Sequence, residues 1–282
     1  VSEPTNEPRT AAEPTNEPRT AAEPTNDIGK SGLLAGKRLL VTGILTPNSI
    51  AYHIAEQAQL AGAQVIATAY GRVSLVKRVC ARLPEPVPVI ELDLTDPEQL
   101  AGLPELVAEH AEGLDGLVHS VAYGPPGCFD EDFAAVPWTD VSRALEVSAY
   151  SLASLTHACR DLLAPGASVI GLDFDGQRAW EGYNWMGVSK AALESVSRYL
   201  AQQFGPRDIR VNVVASGPLR TVAATSIPGF DSAYWDKGAP LGWDDKNVAA
   251  VARTCCAVLS DWMPVTTGSV VWADGGYHIA GP

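Results

Sequence analysis

Residues 38–69 read RLLVTGILTPNSIAYHIAEQAQLAGAQVIATA. Arg38–Val41 is a short apolar run that stops at Thr42-Gly43. From Ile50 to Leu60 the spacing changes, and Ile50, Ile54, Ala55, Ala58 and Ala61 share one helical face. Gln64–Ala69 is apolar without that period and reads as a second strand. Strand, glycine turn, helix, strand is a βαβ unit, whose two strands must lie parallel.

The alternation continues outward. Helices are predicted over Leu75–Leu83, from after Asp93 to about Glu112, and over Val141–Leu163, Asn184–Phe204 and Asp245–Ser260. Strands are predicted over Val87–Leu92, Gly116–Val121, Ser168–Leu172, Arg210–Val214 and Ser269–Trp272. Strands separated by helices imply a parallel sheet covered on both faces, and right-handed crossovers make it doubly wound. The expected fold is a Rossmann-type α/β domain over residues 31–282, with ligands beyond the carboxyl ends of the strands.

Before it, residues 3–12 read EPTNEPRTAA, residues 13–22 repeat them, and residues 23–26 begin a third copy. This unit is rich in proline and polar residues and lacks large apolar ones, so residues 1–30 are expected to be a disordered tail. The chain of 282 residues is 46% hydrophobic, enough for a full core. Its net charge of −13 argues against nucleic acid and anionic membrane as partners. No apolar run reaches the roughly 18 residues of a membrane span, and no signal peptide is read at the start. The five cysteines are scattered without CxxC spacing and read as buried thiols in a reducing cytoplasm; no metal site is expected.

Strand ends carry the candidate chemistry. Gly43 stands where backbone can approach a pyrophosphate, and Ser49 can cap the helix that begins at Ile50. The G-x-G-x-x-G fingerprint is absent, so an ordinary capped turn is the alternative at this point. Asp93 follows the third strand, and His119-Ser120-Val121-Ala122-Tyr123 the fourth. After the second strand comes Tyr70-Gly71-Arg72, with no acid for a ribose hydroxyl. Arg72 could meet a 2′-phosphate, which leaves NADPH open beside NADH. Residues 183–190 read YNWMGVSK. The carbonyl-reducing short-chain dehydrogenases carry Tyr-x-x-x-Lys, but here Met186 stands four before Lys190 and Tyr183 stands seven before. Seven residues are about two turns, so both side chains stay on one face with Tyr183 displaced. That suits a substrate whose reacting carbon is further from its polarised oxygen.

This Tyr-x6-Lys pattern with Asn-Trp-Met inside it resembles the FabI family of enoyl-acyl-carrier-protein reductases, most closely the InhA-type branch. The resemblance spans about residues 33–282 and is carried by GLLAGKRLLVTGI, SIAYHIA, LDGLVHSVAY, VSAYSLAS, GLDFD, YNWM, KAALESV, GPLRT, VLSDW and ADGG in order. It implies that Gly43, Ile44, Ser49 and Ile50 hold the pyrophosphate. Tyr70, Asp93 and Leu94 would meet the adenine end, and Ser120, Val121 and Ala122 would line the cofactor channel. Leu172, Asp173 and Phe174 would flank the nicotinamide. Ala215, Gly217, Pro218, Leu219 and Thr221 would close over carboxamide and pyrophosphate. Tyr183, Lys190 and Phe174 are the implied catalytic residues; Tyr123, Tyr183 and Met186 would touch substrate. Hydride from NADH would reach C3 of a trans-2-enoyl thioester in fatty acid biosynthesis, with Tyr183 on the thioester oxygen and Lys190 on the nicotinamide ribose. The thioester would ride on acyl carrier protein or coenzyme A, and the assembly would be a cytoplasmic homotetramer.

Two departures stand out. Gly71 replaces the acidic residue expected after the adenine contact. The substrate loop, Thr221–Pro240 with Pro228, Gly229, Tyr234 and Trp235, is shorter than in InhA-type enzymes, which predicts a shorter or differently shaped acyl group. Trp185 and Trp235 suggest no chemistry. The rival readings are a reductase of a non-fatty enone in a specialised pathway, a non-catalytic dinucleotide sensor, and a carbonyl reductase, the last disfavoured by Met186.

Overall fold

The computed structural model describes residues 32–129, 132–225, 227 and 232–280. The tail reading of residues 1–30, and Pro228 and Gly229 of the loop, lie outside them. Strands β1 (Arg38–Val41), β2 (Gln64–Ala69), β3 (Val89–Glu91), β4 (Leu114–His119), β5 (Leu163–Asp173), β6 (Arg210–Ser216) and β7 (Val270–Ala273) form one parallel sheet. Its order is β3-β2-β1-β4-β5-β6-β7. The chain thus runs outward from β1 to β3, then returns to the other side of β1. The β1/β4 seam is the switch point where such sheets bind ligands.

Helices α1 (Ile50–Leu60), α2 (Val73–Cys80) and α9 (Val248–Leu259) cover one face, with Ile54, Val76, Val251 and Leu259 buried there beside Leu39 and Val41. Helices α3 (Pro97–Ala108), α4 (Trp138–Leu145), α5 (Ser151–Ala158) and α6 (Asn184–Phe204) follow in the chain. Leu103, Leu155 and Leu200 pack with Leu40 and Ile66 on the other face. The α3 start shows the local logic: Asp96 Oδ1 accepts from Glu98 N at 2.9 Å and Gln99 N at 3.2 Å, and Pro97 needs no partner for its nitrogen. Two short helices, α7 (Val222–Thr225) and α8 (Ala233–Gly238), lie in the loop after β6. All five cysteines are buried. Burial pushes the Cys80 thiol up to about 11 and those of Cys159 and Cys256 to about 12.

Three expectations need correction. The predicted helix Val141–Leu163 is interrupted by a wide π turn over Glu146–Tyr150 and ends at Ala158. Side-chain bonds brace that turn. Ser148 Oγ donates to Tyr123 O and accepts from Tyr123 N, each at 3.0 Å, and Ser151 Oγ donates to Val147 O at 2.7 Å. Such turns gather at functional sites, and this one braces the loop after β4. Strand β5 begins at Leu163, not Ser168, because a register shift between Leu114 and Gly116 lets it pair earlier. Strand β4 ends at His119, so Ser120 and Val121 already stand beyond the sheet.

Candidate active site

At the β1/β4 seam Thr42 is fully buried. Its Oγ1 donates to Val118 O at 3.0 Å and accepts from Ser120 N at 3.2 Å. Gly43 follows with φ +89°, and an added Cβ would stand 1.9 Å from Ser120 O. Only glycine satisfies both demands. The result is a backbone cradle between two strand ends, leading into α1. Ile44 is buried and Ile50 half-buried, so their apolar parts serve the core. Ser49 departs from its expected role. It sits at the helix cap but makes no capping bond; its Oγ instead accepts from Leu45 N at 3.2 Å and Thr46 N at 2.9 Å. The hydroxyl shapes the turn, because the preceding amides reach it first.

Toward the sheet edge Tyr70 is 68% exposed, a free ring face for a flat ligand. Arg72 is exposed beside it. Asp93 Oδ1 accepts from Thr95 N at 2.8 Å and Thr95 Oγ1 at 2.7 Å, so half its carboxylate is committed to its own turn. Leu94 is buried in the core. Ser120 and Val121 are half-buried, and Ala122 and Tyr123 exposed, along the loop after β4.

The centre is at the end of β5. Leu172 and Asp173 are buried, and Phe174 is half-buried. Helix α6 starts through a bent entry, with Gly182 at φ +71° and Asn184 at φ +40°. A positive φ at asparagine is uncommon, and such strain gathers at functional sites. The bend sets the Tyr183 ring against Phe174, centroids 5.1 Å apart and edge-on. Two turns on, Lys190 is buried, and its Nζ donates to Leu172 O at 2.7 Å. Met186, between them, is buried in a small cluster with Cys128 and Ala144. Beyond β6, Ala215, Gly217, Pro218 and Leu219 are buried. Trp243 Nε1 donates to Pro218 O at 2.8 Å, and Thr221 Oγ1 accepts from Ala224 N at 3.2 Å.

The electrostatics follow from burial. Tyr183 is pushed up by desolvation and by the Asp173 charge, so its phenol stays a donor. Lys190 is lowered by burial, an effect that Asp173 opposes. Asp173 itself is 4% exposed, and among the described residues neither carboxylate oxygen has a hydrogen-bond partner. Desolvation lifts it to about 7 against the pull of Lys190, while Glu194 and Asp175 push it further up. His119, at the end of β4, shares a 2.7 Å hydrogen bond with Ser151 Oγ and is lowered by burial to about 3.

Two opposite slopes result. From about 4 to 7 the folded protein keeps a proton on Asp173 that the unfolded chain has released, so this contribution to stability falls as pH rises. From about 3 to 6.5 the unfolded chain protonates His119 and the folded protein does not, so that contribution rises. In Asp173→Asn the first slope disappears. Its Tm is expected to rise more steeply with pH than the parent's between about 4 and 6.5, and the difference between the two to level off above neutrality, where Asp173 is ionised in both states of the parent. Parallel thermal-melt curves for the two proteins across that range would overturn this assignment.

Sequence reasoning brought Gly43, Ser120, Leu172, Phe174, Tyr183 and Lys190 to one end of the sheet, where the structure gathers them. It missed the state of Asp173, the His119–Ser151 bond, and an aromatic group in which Trp180 and Trp235 meet Phe174 and Tyr277 backs them both. No periodicity marks those three, because they sit in a loop, a short helix and the C-terminal turn.

Comparison with known proteins agrees with this geometry. The family profile described as enoyl-(acyl carrier protein) reductase matches residues 43–278. The chain is 48% identical to "Enoyl-[acyl-carrier-protein] reductase [NADH]" of Mycolicibacterium smegmatis over 262 residues, 87% of this chain and 97% of that one. It is 48% identical to the protein of that name from Mycobacterium avium over 261 residues, with the same coverage. It is 34% identical to "Enoyl-[acyl-carrier-protein] reductase [NADH] FabI" of Escherichia coli over 256 residues, 88% of this chain and 97% of that one. With a Rossmann-type sheet, a glycine cradle at its switch point, Tyr183 at the entry to helix α6 and Lys190 within it beside the end of β5, the chain belongs to the enoyl-(acyl carrier protein) reductase family.

Proposed function

We propose that the chain reduces the C2–C3 double bond of a trans-2-enoyl thioester with NADH, in fatty acid biosynthesis. The observation that carries this is the Tyr183–Phe174–Lys190 arrangement at the end of β5, seven residues separating tyrosine from lysine. The cofactor fits the residues present: the Gly43 cradle has no room for a Cβ, and the buried Asp173 carboxylate lacks a donor that a ribose hydroxyl could supply. When bound, reduced nicotinamide supplies the hydride that C3 receives. Gly43, Ile44, Ser49 and Ile50 hold the pyrophosphate through backbone and the α1 terminus. Tyr70, Asp93 and Leu94 frame the adenine end, the last through its backbone. Ser120, Val121 and Ala122 line the channel, and Ala215, Gly217, Pro218, Leu219 and Thr221 close its far side. Lys190, steadied by Leu172 O, directs its remaining protons at the ribose. Phe174 packs the Tyr183 ring so that the phenol meets the thioester oxygen. Charge would develop there as C3 receives hydride, a donor already in place would stabilise it without reorganisation, and a proton from Tyr183 or water would then complete the reduction at C2. Tyr123 and Met186 border the substrate.

NADH is the cofactor named for the relatives. The thioester is carried on acyl carrier protein. Among the described residues no helix is long and apolar enough to cross a membrane, and the cytoplasm is the proposed location. A homotetramer is supported by the apolar faces of α5 and α6, where Ala153, Ala192, Val196 and Tyr199 line an open cleft. The test is loss of reduced-cofactor absorbance with crotonyl thioester, NADH and NADPH in parallel, and light scattering on the same preparation. Turnover with a preference for NADH is expected. Tight NADH binding without turnover of any enoyl thioester would return the sensor or specialised-enone reading.

A further inference from the structure

The reaction above does not fix how long a chain may follow the double bond. Apolar space beside Phe174 and Tyr183 is filled on two sides. On one, Met186 packs so closely on Gly124 that an added Cβ would lie 2.7 Å from its sulfur. On the other, Phe174 meets Trp180 at 5.3 Å and Trp235 at 5.6 Å between ring centroids. Trp180 and Trp235 are 5.1 Å apart, and Trp235 stacks on Tyr277 at 3.9 Å and 15°. Trp180 also reaches Tyr277 at 5.8 Å. These are separations of rings in contact, so no column of methylenes passes between them.

The rings are not held equally. Trp235 is 1% exposed, its Nε1 donates to Asp274 O at 3.0 Å, and its indole backs onto Gly217. Trp180 Nε1 is buried without a hydrogen-bond partner among the described residues. Ring contact therefore holds Trp180, and a substitution there opens space without breaking a hydrogen bond.

We propose that Trp180, backed by Trp235 and Tyr277, closes the acyl pocket beyond Phe174, so that the enzyme takes short enoyl thioesters in preference to long ones. This deepens the enoyl-reductase reading and rests on it. The rings form a wall where a chain would leave the reacting carbons.

The test is kcat/KM with NADH for crotonyl, octenoyl and dodecenoyl thioesters, in the parent, Trp180→Ala and Trp180→Leu. Competition by saturated dodecanoyl thioester in the same three proteins reads binding without chemistry. The parent is expected to favour crotonyl over dodecenoyl by about tenfold or more, and both variants to shrink that ratio by about tenfold, with tighter dodecanoyl competition. Leucine keeps part of the apolar fill, so it reports even where alanine loosens the loop. A parent whose kcat/KM climbs steadily to dodecenoyl overturns the proposal. So does an unchanged ratio in variants that melt as the parent does. Failure of every thioester, crotonyl included, overturns the enoyl-reductase reading and the pocket assignment with it.

Discussion

Tyr183→Phe is expected to lower kcat for crotonyl thioester by about 10²–10³, while KM and NADH affinity stay within a few fold of the parent. The size follows from the loss of one preorganised donor to a developing oxyanion, about 3–4 kcal/mol in a dry site. The selectivity follows from what the substitution keeps. Phenylalanine retains the edge-on contact with Phe174 at 5.1 Å and the ring's approach to Gly187, so the helix entry is undisturbed. Only the oxygen is lost, and it acts where charge builds. Absorbance assays at saturating substrate, with fluorescence titration of NADH, separate the two effects. A kcat within about threefold of the parent would remove Tyr183 from the chemistry, since no single lost donor of this kind costs so little.

Lys190→Met should act on a different quantity. The ammonium is buried, donates to Leu172 O at 2.7 Å and is the cation that pulls against the raised Asp173 carboxyl. A charged hydrogen bond to a ribose hydroxyl is worth about 1.5–3 kcal/mol, so NADH affinity should fall about ten- to hundredfold. Without its cation, the Asp173 carboxyl shifts further up. The variant should therefore lose stability relative to the parent chiefly above neutral pH, where the parent's carboxyl is ionised, and much less near pH 5, where it is protonated in both. Lys190→Arg should restore neither, because a rigid guanidinium fork does not fit where a compact ammonium is enclosed. Fluorescence titration of NADH and urea unfolding at acid and alkaline pH check both halves. NADH binding at the parent's strength would show that Lys190 serves only the fold.

Fold and family were legible because they rest on local, repeated signals. The βαβ alternation from Arg38 onward is a change of hydrophobic period, and each predicted strand appears in the sheet. Helix α6 runs over Asn184–Phe204 as its spacing predicts. Tyr183 and Lys190 were readable as a pair from their spacing at the start of a predicted helix, but the bend at Asn184, which places Tyr183 at the cap and not within the helix, was not. Boundaries were less legible where side chains outside the element set them. Ser148, tied to Tyr123, helps open the π turn in what reads as one helix. The Leu114/Gly116 shift lengthens β5 from the neighbouring strand β4.

By itself, the sequence determined the parallel α/β class, the Gly43 cradle as a candidate, the tyrosine–lysine face and the enoyl-reductase resemblance. Tertiary structure alone decided the state of Asp173, since only packing reveals that a carboxylate is enclosed without a donor among the described residues. It decided what Ser49 does, because its hydroxyl meets the amides of Leu45 and Thr46 before any capping amide. It also decided that Trp180, Trp235 and Tyr277, far apart in the chain and unmarked by any period, pack together, with the two tryptophans against Phe174. Contacts between residues so distant in sequence are set by how the sheet ends converge, and no local pattern encodes that convergence.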